Sequence, residues 1–213
     1  MGSREQWAAL AQELGFEHKP GLKGFLASET GKRELEERAK RGEIPSADIS
    51  ILDNPLIASL LEAVFNGALV GKHRSYDVTV FGASEGRETS PGANRSFAVT
   101  LSFKEGYDLG LNVYNESFLS RVGKLFGQQD IQLGDKELDD TVMIKGRDVL
   151  AVKQLLDSQR VRQQLLKMYA ESKCFVIRDY GIRHEESASN LSSARIRQLV
   201  EMMADLADAL PER

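Results

Sequence analysis

Residues 96–103 read SFAVTLSF, and the strict alternation of this stretch sets the fold class that the sequence predicts. Successive side chains of a β-strand point to opposite faces. The alternation separates two sets of side chains, with Phe97, Val99, Leu101 and Phe103 on one face and Ser96, Ala98, Thr100 and Ser102 on the other. The stretch therefore predicts a strand with one apolar face, and its small, polar face is predicted to be exposed to water.

Further strands are predicted on both sides of this stretch. Short alternating or apolar runs occupy residues 76–80, 109–113, 141–145, 174–178 and 182–186. A three-residue loop at 104–106 would place Leu101 opposite Leu109, which predicts a hairpin of 96–103 with 109–113. The sequence thus predicts about six strands.

Helices are predicted between and around these strands, because apolar residues recur there every three or four positions. The segments are a short stretch carrying Trp7, Leu10 and Leu14, then 32–41, 54–66, the stretch between Asn115 and Gly127, 148–156, 159–170 and 192–210. Strands that follow one another between helices favour an α+β fold, an antiparallel sheet with amphipathic helices packed mainly on one face. The predicted organisation is an N-terminal helical or irregular segment, 1–53, and a main α+β domain, 54–213, unless the whole chain is one domain.

The composition is that of a folded, water-soluble protein. The chain has 213 residues, of which 41% are hydrophobic and 28% charged, with a net charge of −4. No clustered basic footprint is present, so nucleic acid is not expected as a partner. No apolar run reaches the length of a membrane span, and the single cysteine excludes an internal disulfide, so the expected location is cytoplasmic. The oligomeric state is left open.

Residues 66–74, NGALVGKHR, contain the nearest approach to a nucleotide-binding loop. A Walker A loop requires GxxxxGK followed by Ser or Thr, and then a helix whose N-terminus faces the phosphates. Here the glycines are one residue too close, His73 replaces the hydroxyl residue, and the following YDVTVF predicts a strand. The segment is therefore interpreted as a junction between two elements, and no cofactor is predicted.

Two other sets of residues are candidates for chemistry. The acidic segment 130–140 offers oxygen ligands for a divalent cation at Asp135, Glu137, Asp139 and Asp140. Its spacing does not match an EF-hand, and a solvated loop, with Asp139 or Asp140 bonding local backbone, is the simpler interpretation. Cys174 and His184 flank a predicted hairpin, but neither hairpin register places them directly opposite, so a catalytic dyad is not predicted. The other histidines, His18 and His73, are scattered and predict no metal site.

The stretch from Leu125 to Leu166 resembles an uncharacterised bacterial family of domains of unknown function. The resemblance is carried by GDKELDDTVMIKGRDVLAVKQLL followed by VRQQLL, in which a Gly-Asp turn and an acidic pair lead into a strand, Gly-x-Asp and two short helices. It departs from the family at Leu138, where an aromatic residue usually precedes the aspartate. Relatives often look membrane-anchored, and the resemblance implies no catalytic residues.

The sequence leaves two functions open. The first is a non-catalytic domain that binds a protein or a small molecule through the exposed sheet face or the polar loop 82–95, GASEGRETSPGANR. The second is an enzyme, such as a metal-dependent hydrolase, whose catalytic groups come from distant positions. No catalytic, cofactor-binding or metal-binding residue is predicted, and the first function is favoured.

Overall fold

The computed structural model describes residues 4–19, 68–84, 95–115 and 130–211. The helices predicted at 32–41, at 54–66 and between Asn115 and Gly127 lie outside these ranges, as does the domain boundary predicted at residue 53. The centre of the loop predicted at 82–95 lies outside them too. The chain divides into two compact units: Met1–Lys72, Asp77–Val99 and Glu186–Arg197 form one, and His73–Tyr76, Thr100–Glu185 and Gln198–Arg213 form the other.

The first unit begins with helix α1, Arg4–Leu14, which buries Trp7 as the sequence predicts. The helix ends at Gly15, whose φ of +72° is the left-handed conformation that glycine adopts readily at a helix end. Strand β1, Glu17–Lys19, follows and pairs antiparallel with β2, Ala68–His73. Gly71 of β2 lies against the ring of Phe16. A Cβ added at Gly71 would come within 2.0 Å of that ring, so a larger residue would not fit without a shift.

The strands form one eight-stranded sheet, in the order β1-β2-β3-β4-β8-β7-β5-β6. The remaining strands are β3 (Tyr76–Ser84), β4 (Arg95–Ser102), β5 (Asn112–Tyr114), β6 (Met143–Lys145), β7 (Phe175–Arg178) and β8 (Gly181–Ser187). The antiparallel sheet of the predicted α+β fold is confirmed, and the predicted number of about six strands is wrong. The two strands that the sequence did not reveal are β1, which has three residues, and β2, whose ALVGKH lacks alternation.

The predicted hairpin of 96–103 with 109–113 is also wrong. Strand β4 lies between β3 and β8, whereas β5 pairs with β6 and β7. The segment after β4 instead packs on the turn between β7 and β8, where the amide of Phe103 donates to the carbonyl of Tyr180 at 2.9 Å. The carboxylate of Asp179, in the same turn, accepts hydrogen bonds from three successive backbone amides, those of residues 109–111. These bonds hold the segment away from β4.

The face of 96–103 that was predicted to be exposed is buried at its centre. Ala98 and Thr100 are buried, as are Phe97 and Val99 on the other face, and Ser96 and Ser102 are partly buried. Small side chains leave room for close packing by neighbouring atoms, so their size suits burial as well as exposure. The alternation of large and small residues was therefore correctly interpreted as a strand and wrongly interpreted as a water-exposed face.

Three helices of the second half begin where the sequence predicts, and a short one, α2, Lys136–Asp139, was not predicted. Helix α3, Val149–Leu156, begins after Asp148, whose carboxylate accepts from two backbone amides of the first turn. Helix α4, Gln159–Glu171, is capped by the hydroxyl of Ser158. A 3₁₀ turn, Ala188–Asn190, precedes α5, Ser193–Ala207. The predictions of helices at 148–156, 159–170 and 192–210 are confirmed.

In the second unit, Arg74 binds the acidic face of α5. Its guanidinium donates to Asp205 at 2.9 Å and to Asp208 at 2.6 Å, and it also pairs with Glu201. Arg74 has a φ of 52°, a left-handed conformation that costs a non-glycine residue about 1 kcal/mol. A glycine at this position would avoid that cost. The contacts of Arg74 with three carboxylates offset the cost and explain why an arginine occupies this turn.

Asp208 is predicted to contribute a pH-dependent part of the stability of this unit. Burial opposes the charged form, but hydrogen bonds from Tyr76 and Arg74 outweigh burial and lower the pKa of Asp208. A lowered pKa means that the folded state favours the carboxylate, so its contribution is complete above about pH 4 and is lost as the pH falls further. We expect Asp208→Asn to destabilise the protein more at about pH 7 than at about pH 2.5.

Urea unfolding at the two pH values measures this difference. The matched control is Asp77→Asn, because the Asp77 carboxylate lies 3.4 Å from Lys72 at the surface and has no comparable set of donors. An equal cost of Asp208→Asn at both pH values would show that the carboxylate charge is not what the fold uses.

Candidate functional site

The acidic segment 130–140 serves the backbone. Asp139 accepts from the amides of Leu133 and Gly134 at 2.8 and 2.9 Å, which confirms the predicted local bonding. Asp130 accepts from the amide of Ile144, and Asp135 caps α2. Within the described residues no group of three or more His, Cys, Asp or Glu side chains is arranged to hold a metal ion. Two of the four carboxylates of the metal-dependent alternative, those of Asp135 and Asp139, therefore have structural roles.

The other sequence candidates do not come together. Residues 71–73 lie in strand β2, and YDVTVF lies in strand β3, as predicted, so the segment is not a phosphate-binding loop. Lys72 is exposed and pairs with Asp77. His184 is buried and pairs in register with Phe175, whereas Cys174 packs against the cluster of Tyr114 and Val176. The thiol and the imidazole thus lie on opposite faces of the hairpin.

Strands β5 to β8 carry a concentration of polar side chains that the sequence analysis missed. In an antiparallel pair, residues directly opposite share a face, so the register assigns side chains to faces. Asn112 lies opposite Lys145 of β6 and opposite Arg178 of β7. These three residues form a row across the sheet, which spans about 10 Å at the usual spacing between strands.

A second row lies on the same face, two residues along the strands. Tyr114 lies opposite Met143 and Val176, and Val176 lies opposite Arg183 of β8. Glu185 follows Arg183 by two positions, and its carboxylate lies 3.0 Å from the Arg183 guanidinium. We call the set Asn112, Tyr114, Lys145, Arg178, Arg183 and Glu185 the polar face.

The reverse side of the same strands is mainly apolar, although the buried His184 also lies there, opposite Phe175. Val113 lies opposite Ile144 and Ile177, and Ile177 lies opposite Ile182. All four side chains are buried, and they share this side with Phe175. Most of the hydrophobic core of this part of the sheet thus lies on this side, whereas the polar face also carries a small apolar cluster around Val176.

The polar face is largely shielded from water. Lys145 is 6% exposed, Asn112 8% and Tyr114 0%, and the Arg183 and Glu185 side chains are 18% and 14% exposed. Lysine and arginine are seldom buried unless polar groups or counter-charges accompany them. Arg183 has Glu185, the Arg178 guanidinium lies 3.2 Å from the Tyr180 hydroxyl, and the cationic side chains make further interactions within the chain.

The Tyr114 hydroxyl and the amide oxygen of Asn112, both on this face, have no hydrogen-bond partner in the part of the chain that the structure describes. A buried polar group without a partner costs roughly 1 to 3 kcal/mol, so such groups are uncommon in folded proteins. They share this face with three cationic side chains, so the polar face is the candidate site, and its chemistry is that of hydrogen bonding and charge pairing.

The sequence held a weak signal for this face. In 175–187, FVIRDYGIRHEES, Arg178, Arg183 and Glu185 alternate with apolar residues or His184, and Lys145 ends the run MIK. Alternation assigns the residues of one strand to its two faces. Which charged residues of different strands share a face becomes known only with the pairing of the strands. The predicted pairing of 109–113 with 96–103 separated Asn112 from Lys145 and Arg178, which hid the site.

Exposed apolar side chains offer little additional surface. In the described ranges the large exposed hydrophobic residues are Val149 and Leu150, adjacent at the start of α3. Two side chains are a small area compared with the several hundred Å² of a typical interaction patch. These residues do not define a partner surface.

The fold belongs to the α+β class, an antiparallel sheet with helices. No family model matches the sequence, and a search of curated proteins gives no match. Among solved structures, the chain is similar to mycobacterial trehalose monomycolate transport factor A, TtfA, with a TM-score of 0.55 and 11% sequence identity. The similarity covers 99% of this chain and 97% of that chain, and at this identity it concerns the fold alone. In the described residues no helix is long and apolar enough to cross a bilayer.

Proposed function

We propose that this chain is a non-catalytic binding protein and that it binds its ligand at the polar face of β5 to β8. The observation that carries the proposal is the pair of buried, unpartnered atoms, the Tyr114 hydroxyl and the Asn112 amide oxygen. A ligand that hydrogen-bonds to both atoms would remove their desolvation cost. This surface replaces the exposed sheet face of 96–103 in the binding function that the sequence favours.

The structural neighbour supports the same kind of role. TtfA is named a transport factor, and a transport-associated or binding role is consistent with a chain of the same fold. A bacterial source and a cytoplasmic location are parts of this proposal. Membership of the family of unknown function that residues 125–166 resemble stays a prediction.

Binding can be located by following the backbone amides of the full-length chain by nuclear magnetic resonance while a library of small polar molecules is added. We expect a ligand to shift the amides of residues 112–114, 143–145 and 176–178, which carry the polar face. Amides of β1 and of residues 68–72 of β2, which lie in the other unit, are the internal control. Ligands that shift only amides far from β5 to β8 would contradict the proposal.

Two buried tyrosines provide a matched test of the unpartnered hydroxyl. Tyr169 is also buried, but its hydroxyl lies 3.0 Å from the Val113 carbonyl and 3.2 Å from the Phe175 carbonyl. Tyr169→Phe should therefore destabilise the fold by about 1 to 2 kcal/mol, whereas Tyr114→Phe should be neutral or stabilising by up to about 1 kcal/mol. Chemical denaturation without ligand measures both values, and an equal loss in the two variants would show that the Tyr114 hydroxyl has an internal partner.

A further inference from the structure

We propose that the ligand of the polar face carries a small oxyanion, a phosphate or a carboxylate group, which binds beside the Tyr114 hydroxyl. This inference rests on the proposed function and specifies the chemical class of the ligand. It follows from the charges, the donors and the spacing of the two rows.

The charge of the polar face is opposite in sign to that of the whole protein. Its described side chains include three cations, Lys145, Arg178 and Arg183, and one carboxylate, Glu185, in a chain whose net charge is −4. The low exposure of the face keeps water from screening these charges as it does at a free surface. An anion gains more from this environment than a neutral molecule of the same size.

The cations attract an anion through their charge, alongside the interactions that they make within the chain. A guanidinium carries five N–H groups and an ammonium three, all of them donors suited to anionic oxygens. Arg183 meets Glu185, and Arg178 meets the Tyr180 hydroxyl. Arginine is well suited to the planar or tetrahedral oxygens of a carboxylate or phosphate.

The two unpartnered atoms indicate where on the polar face the oxyanion would bind. Tyr114 and Asn112 are two residues apart on β5 and share a face, so their side chains are about 7 Å apart. The Tyr114 hydroxyl can donate to an anionic oxygen, and the Asn112 amide can bond the part of the ligand next to it. An oxyanion between the two rows would lie within reach of the Tyr114 hydroxyl and of cations from either row.

The test uses thermal unfolding of the full-length chain in phosphate, acetate and chloride at equal ionic strength. We expect phosphate, acetate or both to raise the midpoint above that in chloride, because a ligand that binds only the folded state stabilises it. The anion that raises the midpoint identifies whether the ligand carries a phosphate or a carboxylate group. We expect Tyr114→Phe to weaken its binding about tenfold or more and Tyr169→Phe to leave it unchanged, once each variant is compared with its own midpoint in chloride.

Two outcomes would overturn the inference. Equal midpoints in all three salts would exclude an oxyanion, while ligand-induced shifts of residues 112–114 in the magnetic resonance screen would still support a binding function at this face. An anion effect of equal size in the native protein and in Tyr114→Phe would place the ion elsewhere on the protein. Because Tyr114→Phe removes a hydroxyl without an internal partner among the described residues, the variant is expected to fold.

Discussion

Replacement of Asp179 by alanine is expected to lower the free energy of unfolding by about 3 to 4 kcal/mol. One oxygen of this carboxylate accepts from the amides of Leu109 and Leu111 at 2.9 and 3.1 Å, and the other accepts from the amide of Gly110 at 2.9 Å. Alanine removes three charge-assisted hydrogen bonds and leaves their donors in a half-buried position. The segment that connects β4 with β5 would lose its attachment to the turn between β7 and β8.

Two variants make this prediction specific. Asp179→Asn keeps the shape and one acceptor oxygen but turns an N–H₂ group toward one of the amides, so we expect about half of the alanine penalty. Asp77→Ala removes a carboxylate from an exposed pair with Lys72 and should cost less than about 1 kcal/mol. Urea unfolding at neutral pH measures all three. A loss for Asp179→Ala no larger than for Asp77→Ala would show that the segment is held by its apolar contacts instead.

Gly181→Ala is expected to destabilise the protein by about 3 kcal/mol through a steric clash. A Cβ at residue 181 would lie 2.3 Å from the backbone oxygen of Leu101 and 3.2 Å from the Cα of Ser102. The clashing atoms belong to the backbone of β4, which cannot move aside as the end of a side chain can. The substitution would therefore separate β8 from β4 at the centre of the sheet.

Gly106→Ala is the control for this substitution. A Cβ there would come no closer than 3.5 Å to its nearest neighbour, the backbone oxygen of Asp179, which is an ordinary contact distance. We expect its effect on the free energy of unfolding to be within about 0.5 kcal/mol. If the two glycine variants proved equally stable in thermal and urea unfolding, close approach of β4 and β8 at residue 181 would be refuted.

The helices and most strands of this protein were predictable because their signals are local. A cap such as Asp148 or Ser158 bonds amides within three residues, and the apolar spacing of α3, α4 and α5 repeats along one segment. The two-residue turn at Asp179 and Tyr180 is local as well. Strands β1 and β2 were missed because three residues, or six with a glycine among them, carry too little periodicity to be distinguished.

The pairing of the strands was predicted wrongly, and the candidate site was lost with it. The hairpin of 96–103 with 109–113 was favoured because apolar residues faced each other, a criterion that several pairings of this chain satisfy. The bonds from Asp179 to residues 109–111, some seventy positions away, favour a different arrangement. Such contacts leave no trace in the spacing of nearby residues.

The amino-acid order alone established the α+β class, an antiparallel sheet and the positions of α1, α3, α4 and α5, since these depend on side chains only a few residues apart. The neighbours of each strand, the burial of Ala98 and Thr100, and the placement of Lys145, Arg178 and Arg183 on one face with Tyr114 were established only by the folded chain. The physical reason is that a strand's two faces are defined by its own sequence, whereas the residues that share a face with it come from segments far away along the chain.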